Sequence, residues 1–343
     1  MPFNQVTDAP PAPLAPTGGQ SIHIDVIVTD KSGTPVSGLR QQDFTLLDDK
    51  QPRAITSFLG TEDTGKPTEP PVQVIFLVDA VNSGVREVTQ GRQELERFLR
   101  RDDGKLALPT SLVIFTDIST MIQPQPGHDG NAMADGLEKN QTGLRVNGRS
   151  QGFYGAVDRF QMSIRALQQI TAYEARQPGR KLLIWLSPGW PLLSGPGVIM
   201  TPKDQETTFN EVVTMSRILR EARMTLYSID PSGMGDAGTP RTFYYEDFLK
   251  GVPYPNKVNA ANLALQVLAV QSGGKVLNSN NNIANLIASC LVDAKAFYTL
   301  SFDSSPADHP DEYHSLEVKI AKAGLTAHTR TGYYAQQYKD KHR

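Results

Sequence analysis

At 343 residues the chain exceeds what one hydrophobic core ordinarily serves, so about two domains are expected. A hydrophobic fraction of 39% and a charged fraction of 20% are those of an ordinary globular protein, and a net charge of −2 offers no positive field to polyphosphate, which excludes a nucleic-acid partner from the expectation. Cys290 is the only cysteine, so neither an intrachain disulfide nor a cysteine-based zinc site can form.

Residues 1–20 hold five prolines, no Lys or Arg and no apolar run, the composition of a disordered leader rather than of a signal peptide. No window approaches the roughly 20 apolar residues of a transmembrane segment. Residues 21–30, SIHIDVIVTD, alternate apolar and polar side chains with the period of a half-buried strand. Shorter strands are expected over 44–47 and 53–59, with turn residues between them. Three such strands lack a second layer to pack against. Residues 61–70 are a polar linker.

Residues 71–84, PVQVIFLVDAVNSG, form the stretch around which the rest is arranged. The apolar run 72–78 is too short for an independent helix and rich in branched residues, as befits a parallel strand covered on both faces. It delivers Asp79, Asn82 and Ser83 to its C-terminal end. Helical spacing follows at Val85, Val88, Leu95, Phe98 and Leu99. Further strands are predicted at 110–117, 181–187, 224–230 and 275–278, with an edge strand after Ile118. Helices are predicted at 129–139, 153–170, 202–219, 259–271 and 283–291. Thr201 and Pro202 mark a capped helix start, and Gly273–Gly274 a helix end. Strands alternating with helices from 71 to 293 imply a doubly wound, mostly parallel sheet. Residues 295–335 return to period two, in three strands. Pairing them with strands of 21–60 would give both ends of the chain a second layer, a small antiparallel β-sandwich with the α/β unit inserted in it and a short tail at 336–343.

The order of elements opening with IFLVDAVNSG resembles a von Willebrand factor A (VWFA) domain. The phrases VIVTDKSGTPVSGLRQQDFTLLDD, LYSIDPSG and YTLSFD…HTRTGYYA resemble the VWFA-related proteins of acidobacterial type, over residues 21–335. The resemblance implies a Rossmann-like sheet, a protein partner, and an exported or periplasmic setting. It also implies a metal-ion-dependent adhesion site (MIDAS), in which DxSxS, a later Thr and a later Asp hold magnesium above the sheet. Here Asp79 and Ser83 match, Val81 replaces the first Ser, Ser150 and Gln151 stand near the Thr position, and Pro188 takes the place of the later Asp. The pattern is degenerate, and no cofactor is expected. In a second reading a rearranged set of Asp79, Ser83, Ser150 and Gln151 still holds Mg2+. In a third, Asp79 and Ser83 cap the helix that follows.

The apolar segment 190–200 is either a partner-binding loop built on Trp190, Leu192 and Leu193 or a lid over the degenerate site. The connection 231–257, with Tyr244 and Tyr245, suits protein recognition or docking against the sandwich. His309 and His314, with Asp308 and Asp311, fall in a predicted hairpin loop without metal-ligand spacing and read as solvated turn residues. No GxSxG, P-loop or HExxH motif occurs. Asp117 and Asp230 end strands, either as carboxylates of a hydrolase or as closers of strand–loop junctions. The expected function is non-enzymatic protein interaction or adhesion; the alternatives are a magnesium-dependent adhesion module and a hydrolase.

Overall fold

The computed structural model describes residues 3–5, 21–60, 72–140, 152–191, 193, 199–232, 244–278, 282–305 and 307–335. In chain order the elements are β1 (Asn4–Gln5), β2 (Ser21–Thr29), β3 (Phe44–Asp48), β4 (Gln51–Arg53), β5 (Ser57–Gly60), β6 (Gln73–Asp79), α1 (Val85–Leu99), β7 (Lys105–Phe115), β8 (Thr120–Ile122), β9 (Gly127–Asp129), α2 (Gly130–Lys139) and α3 (Phe153–Glu174). Then follow β10 (Lys181–Leu186), α4 (Pro202–Glu221), β11 (Met224–Ile229), α5 (Leu265–Gln271), β12 (Val276–Leu277), α6 (Ile283–Val292), β13 (Tyr298–Asp303), β14 (Glu312–Ile320), β15 (Thr326–His328) and β16 (Gly332–Ala335).

The apolar runs of β6, β10 and β11 are buried along their whole length because the mostly parallel sheet carries helices on both faces. Its strand order is β1-β8-β7-β6-β10-β11-β12, with β9 beside β7. Side chains alternate between two cores. Ile75 and Leu77, Val113, and Leu183 and Trp185 meet residues of α3, α4 and α5 on one face. Val74, Phe76 and Val78, Ile114, and Leu182 and Ile184 meet α1, α2 and α6 on the other. From β6 the chain goes first to β7 on one side and then returns to β10 on the other, so the topological switch point lies between β6 and β10. In doubly wound sheets the ligand crevice lies beyond the strand C-termini at this point.

Local chemistry accounts for the element ends. Thr201 Oγ1 accepts from the Asp204 N–H, and Asp204 accepts from the Thr201 N–H, a reciprocal cap with Pro202 at the first helical position. The helix expected over 259–271 is broken: a 3-10 turn at Ala260–Leu263 ends at Ala264, which is extended, and α5 begins after it. Gly274 seats the chain against β11, where a Cβ would stand 1.8 Å from the Leu226 carbonyl oxygen.

Strands from the two ends of the chain pair with each other. One antiparallel sheet has the order β15-β2-β13-β5 and the other β16-β14-β3-β4. They share one core, including Ile22, Ile24 and Leu300 from the first and Leu46, Val318 and Tyr333 from the second. In β2 the outer half alternates exposed and buried; a one-residue slip would turn Ile22 and Ile24 into water at about 2 kcal/mol each. Two expected strands are each divided between the sheets: the 53–59 run becomes the end of β4 and then β5, and the last becomes β15 and β16. Each breaks where the chain changes layers. Within the expected leader, Asn4–Gln5 pairs with β8 at the edge of the parallel sheet. Asp25 of β2 is 2.8 Å from Arg223 Nη2 and 3.7 Å from Arg180 Nε, just before β11 and β10 begin. The antiparallel layers therefore adjoin the N-terminal edge of the parallel sheet. Among the described residues, no helix is long and apolar enough to cross a membrane.

Candidate functional site

Asp79 ends β6 at the switch point, and its side chain turns inward. Oδ1 accepts the backbone N–H groups of Val81 (2.8 Å) and Asn82 (2.9 Å). Oδ2 accepts Asn82 Nδ2–H and Trp185 Nε1–H, both at 2.8 Å. Asn82 Nδ2 also donates to Ser163 Oγ on α3, 2.8 Å away. Because Asp79 is on β6 and Trp185 on β10, this bond bridges the two strands that flank the crevice. Burial raises the Asp79 pKa overall, against the downward pull of the four N–H donors. Every neighbour donates, so the ionised form fits, since a protonated carboxyl would have to present its own O–H to a donor.

The roof of the site is aromatic. Ser187 Oγ accepts the Gly189 N–H, and the Pro188 carbonyl accepts Gln266 Nε2–H. Gly189 has φ +108°, a conformation that turns the chain back over the strand ends. Trp190 then lies against Trp185, with ring centroids 5.2 Å apart, and against Phe160 at 6.5 Å. Trp190 is 4% exposed, which corrects its reading as a surface anchor: it fills the core above Asp79. Leu193 packs partly buried against the same core.

Asp79 and Ser83 do not cap α1. The N-cap is Gly84, with no side-chain hydrogen bond, and Asp79 instead closes the preceding loop. Ser83 Oγ and Asn82 Oδ1 are buried without a hydrogen-bond partner among the described residues. Val81 belongs to the apolar core. Magnesium needs oxygen lone pairs directed at it, whereas both Asp79 oxygens are occupied by N–H groups. The described part of the set does not fit that ion. Ser150, Gln151 and Leu192 lie outside the described residues, as does the side chain of Tyr244. Tyr245 is half-buried in a 3-10 turn at Tyr244–Phe248, and burial raises its pKa. Asp230 accepts the Ser232 N–H at 2.8 Å, a junction-closing bond.

Sequence reading missed what surrounds this site. Val85 is 68% exposed, Ile118 81%, Tyr154 82% and Ile199 91%. Val85 follows β6, Ile118 follows β7, Tyr154 opens α3 and Ile199 precedes α4, so all four stand at the C-terminal edge of the sheet. Val85 had fitted the apolar stripe of α1, but at the first helical position it points to solvent. Periodicity does not distinguish a stripe residue inside a helix from one beyond its packing partner.

A second cluster lies in the antiparallel layers. His314 belongs to β14 and is buried, which corrects its assignment to a solvated loop. Its partners are Asp48 and Asp49 rather than Asp308 and Asp311, and ligand-capable atoms of the three lie within 4.8 Å of one another. His309 instead faces Tyr254, at 5.2 Å between rings.

The fold and site define a mixed α/β protein with a mostly parallel sheet, whose carboxylate at the switch point, Asp79, is held by N–H donors of its own chain, Trp185 on the neighbouring strand among them. No protein-family model and no curated protein matches the chain. The PilB minor pilin from Streptococcus sanguinis is similar at 8% identity and a TM-score of 0.35, over 67% of this chain and 62% of that one. A point mutant of that pilin gives 12% and 0.34, over 68% and 65%. The pilus adhesin SpaC from Lactobacillus rhamnosus GG gives 9% and 0.35, over 88% and 49%. The chain spans less than two thirds of each of these structures. At such TM-scores the likeness carries no statement about function.

Proposed function

We propose that the chain is a non-enzymatic protein-interaction module, a VWFA-like α/β domain inserted in a β-sandwich, that engages a protein partner through the C-terminal edge of its parallel sheet. The observation that carries this reading is the group of exposed apolar residues there. β7, β6 and β10 are neighbours, each about 5 Å from the next, so the segments carrying Ile118, Val85 and Ile199 leave the sheet within about 10 Å of one another. Single exposed apolar residues are ordinary, but several on one edge mark a surface suited to a partner. Supporting this, Asp79 and Asp230 are both engaged by backbone N–H groups.

The test is capture of binding partners by the full chain, by Ile118→Asp and Ile199→Asp variants, and by a Tyr254→Ala control outside this edge. These exposed changes are expected to leave folding within about 0.5 kcal/mol of wild type. A partner retained by the control and lost by both edge variants supports the reading. A partner bound equally by all refutes the assigned surface.

A further inference from the structure

Asp48, on β3 from the N-terminal part of the chain, meets His314, on β14 from the C-terminal part. His314 Nδ1 lies 3.1 Å from Asp48 Oδ1 and 3.2 Å from Asp49 Oδ2. The Asp48 side chain is completely buried; its Oδ2 accepts from Ser305 Oγ and from Tyr333 Oη and is 3.4 Å from Arg53 Nε on β4. Asp49 Oδ1 accepts both the N–H and the O–H of Ser315 at 2.8 Å. The imidazole stacks on Tyr333, with ring centroids 5.2 Å apart.

Two carboxylates that converge on one nitrogen repel each other unless positive charge stands between them. Arg53 compensates one. A proton on His314 places positive charge between the two carboxylates. Glu312, on the same strand, adds a further negative field around the ring. We propose that His314 is a proton-operated clasp: its Nδ1–H joins Asp48 to Asp49 and ties the β3–β4 hairpin to β14, and loss of the second proton, from the buried Nε2 that has no hydrogen-bond partner among the described residues, leaves the two carboxylates without positive charge between them and loosens that hairpin.

The titration directions agree with the geometry. The hydrogen bond to Asp48 raises the His314 pKa above its ordinary 6.5, against the opposing effect of burial. For Asp48, burial acts upward but is outweighed by hydrogen bonds from His314, Ser305 and Tyr333, and its pKa is lowered. A histidine raised in this way stabilises the fold fully below 6.5, and the contribution is lost as pH rises through its folded-state value.

The test is an NMR titration of His314 in the full-length wild-type chain, with hydrogen exchange at the Asp49 amide, which donates to the Ser315 carbonyl at 2.9 Å, as the second readout. A midpoint above 6.5 that falls in Asp49→Asn is expected, with Asp49 exchange accelerating across the same midpoint by more than the tenfold per pH unit of base catalysis. His314→Gln is expected to abolish that extra acceleration. A midpoint at or below 6.5, or one unmoved by Asp49→Asn, overturns the proposal. Added Zn2+ that suppresses the titration and raises the Tm of wild type but not of His314→Gln also overturns it, by assigning the position to a metal.

Discussion

Replacing Glu174 by glutamine is expected to stabilise the protein above neutral pH while changing little at pH 5. Glu174 lies in the last turn of α3, 1% exposed, at the N-terminal ends of β6 and β10. Its Oε1 is 3.5 Å from Gln73 Nε2, and its Oε2 is buried without a hydrogen-bond partner among the described residues. Burial pushes the carboxyl from 4.5 up to about 7, against the pull of Lys181 and of the hydrogen bond from Gln73. The unfolded chain releases this proton near 4.5 and the native one near 7, so between those values the native state holds more protons and stability falls as pH rises. At about 1.4 kcal/mol per pH unit, the interval corresponds to about 3 kcal/mol, complete above pH 7. Glutamine removes the charge at every pH and keeps the shape. Lys181, whose own pKa burial depresses, loses a counter-charge in the variant, so about 3 kcal/mol is an upper bound on the gain. Urea denaturation of both proteins at pH 5, 6, 7 and 8 isolates this group from the other titrations, including that of His314. A stability difference that stays constant over the series refutes the reasoning.

Other perturbations address the candidate site. Trp185→Phe keeps the buried ring but removes a donor from the Asp79 carboxylate, and a loss of about 2 kcal/mol is expected in chemical denaturation; no loss would mean that the bond between β6 and β10 does not stabilise the fold. Trp190→Ala is expected to cost about 3–5 kcal/mol, as a core deletion does, whereas an effect below about 0.5 kcal/mol would return Trp190 to the surface. Saturating Mg2+ is expected to leave the Tm unchanged. A ligand held only by the native state at a hundredfold excess over Kd would add about 2.7 kcal/mol, so a clear rise would restore the magnesium-dependent reading.

Most of the alternation of strands and helices from β6 to α6 was legible in the residues alone, the broken helix before α5 and the separate β8 and β9 apart. A parallel strand covered on both faces must be apolar throughout, as in residues 74–78 and 182–186, and a helix start such as Thr201–Pro202 carries its own cap. These signals are local, and local periodicity records them. Tertiary structure alone decided how separate segments complete one another. His314 meets Asp48 across 266 residues, and the strands expected at 53–59 and at the C-terminus divide between the two antiparallel layers, pairings with partners distant in the chain that local periodicity does not record. The place of Asp79 at the C-terminal end of β6 was legible. What becomes of Asp79 was not, because its fourth donor, Trp185, comes from the neighbouring strand and is brought there by pairing that places it opposite Leu77. The identity of a carboxylate is written in the chain; whether it faces a cation, water or an indole depends on which strand packs beside it.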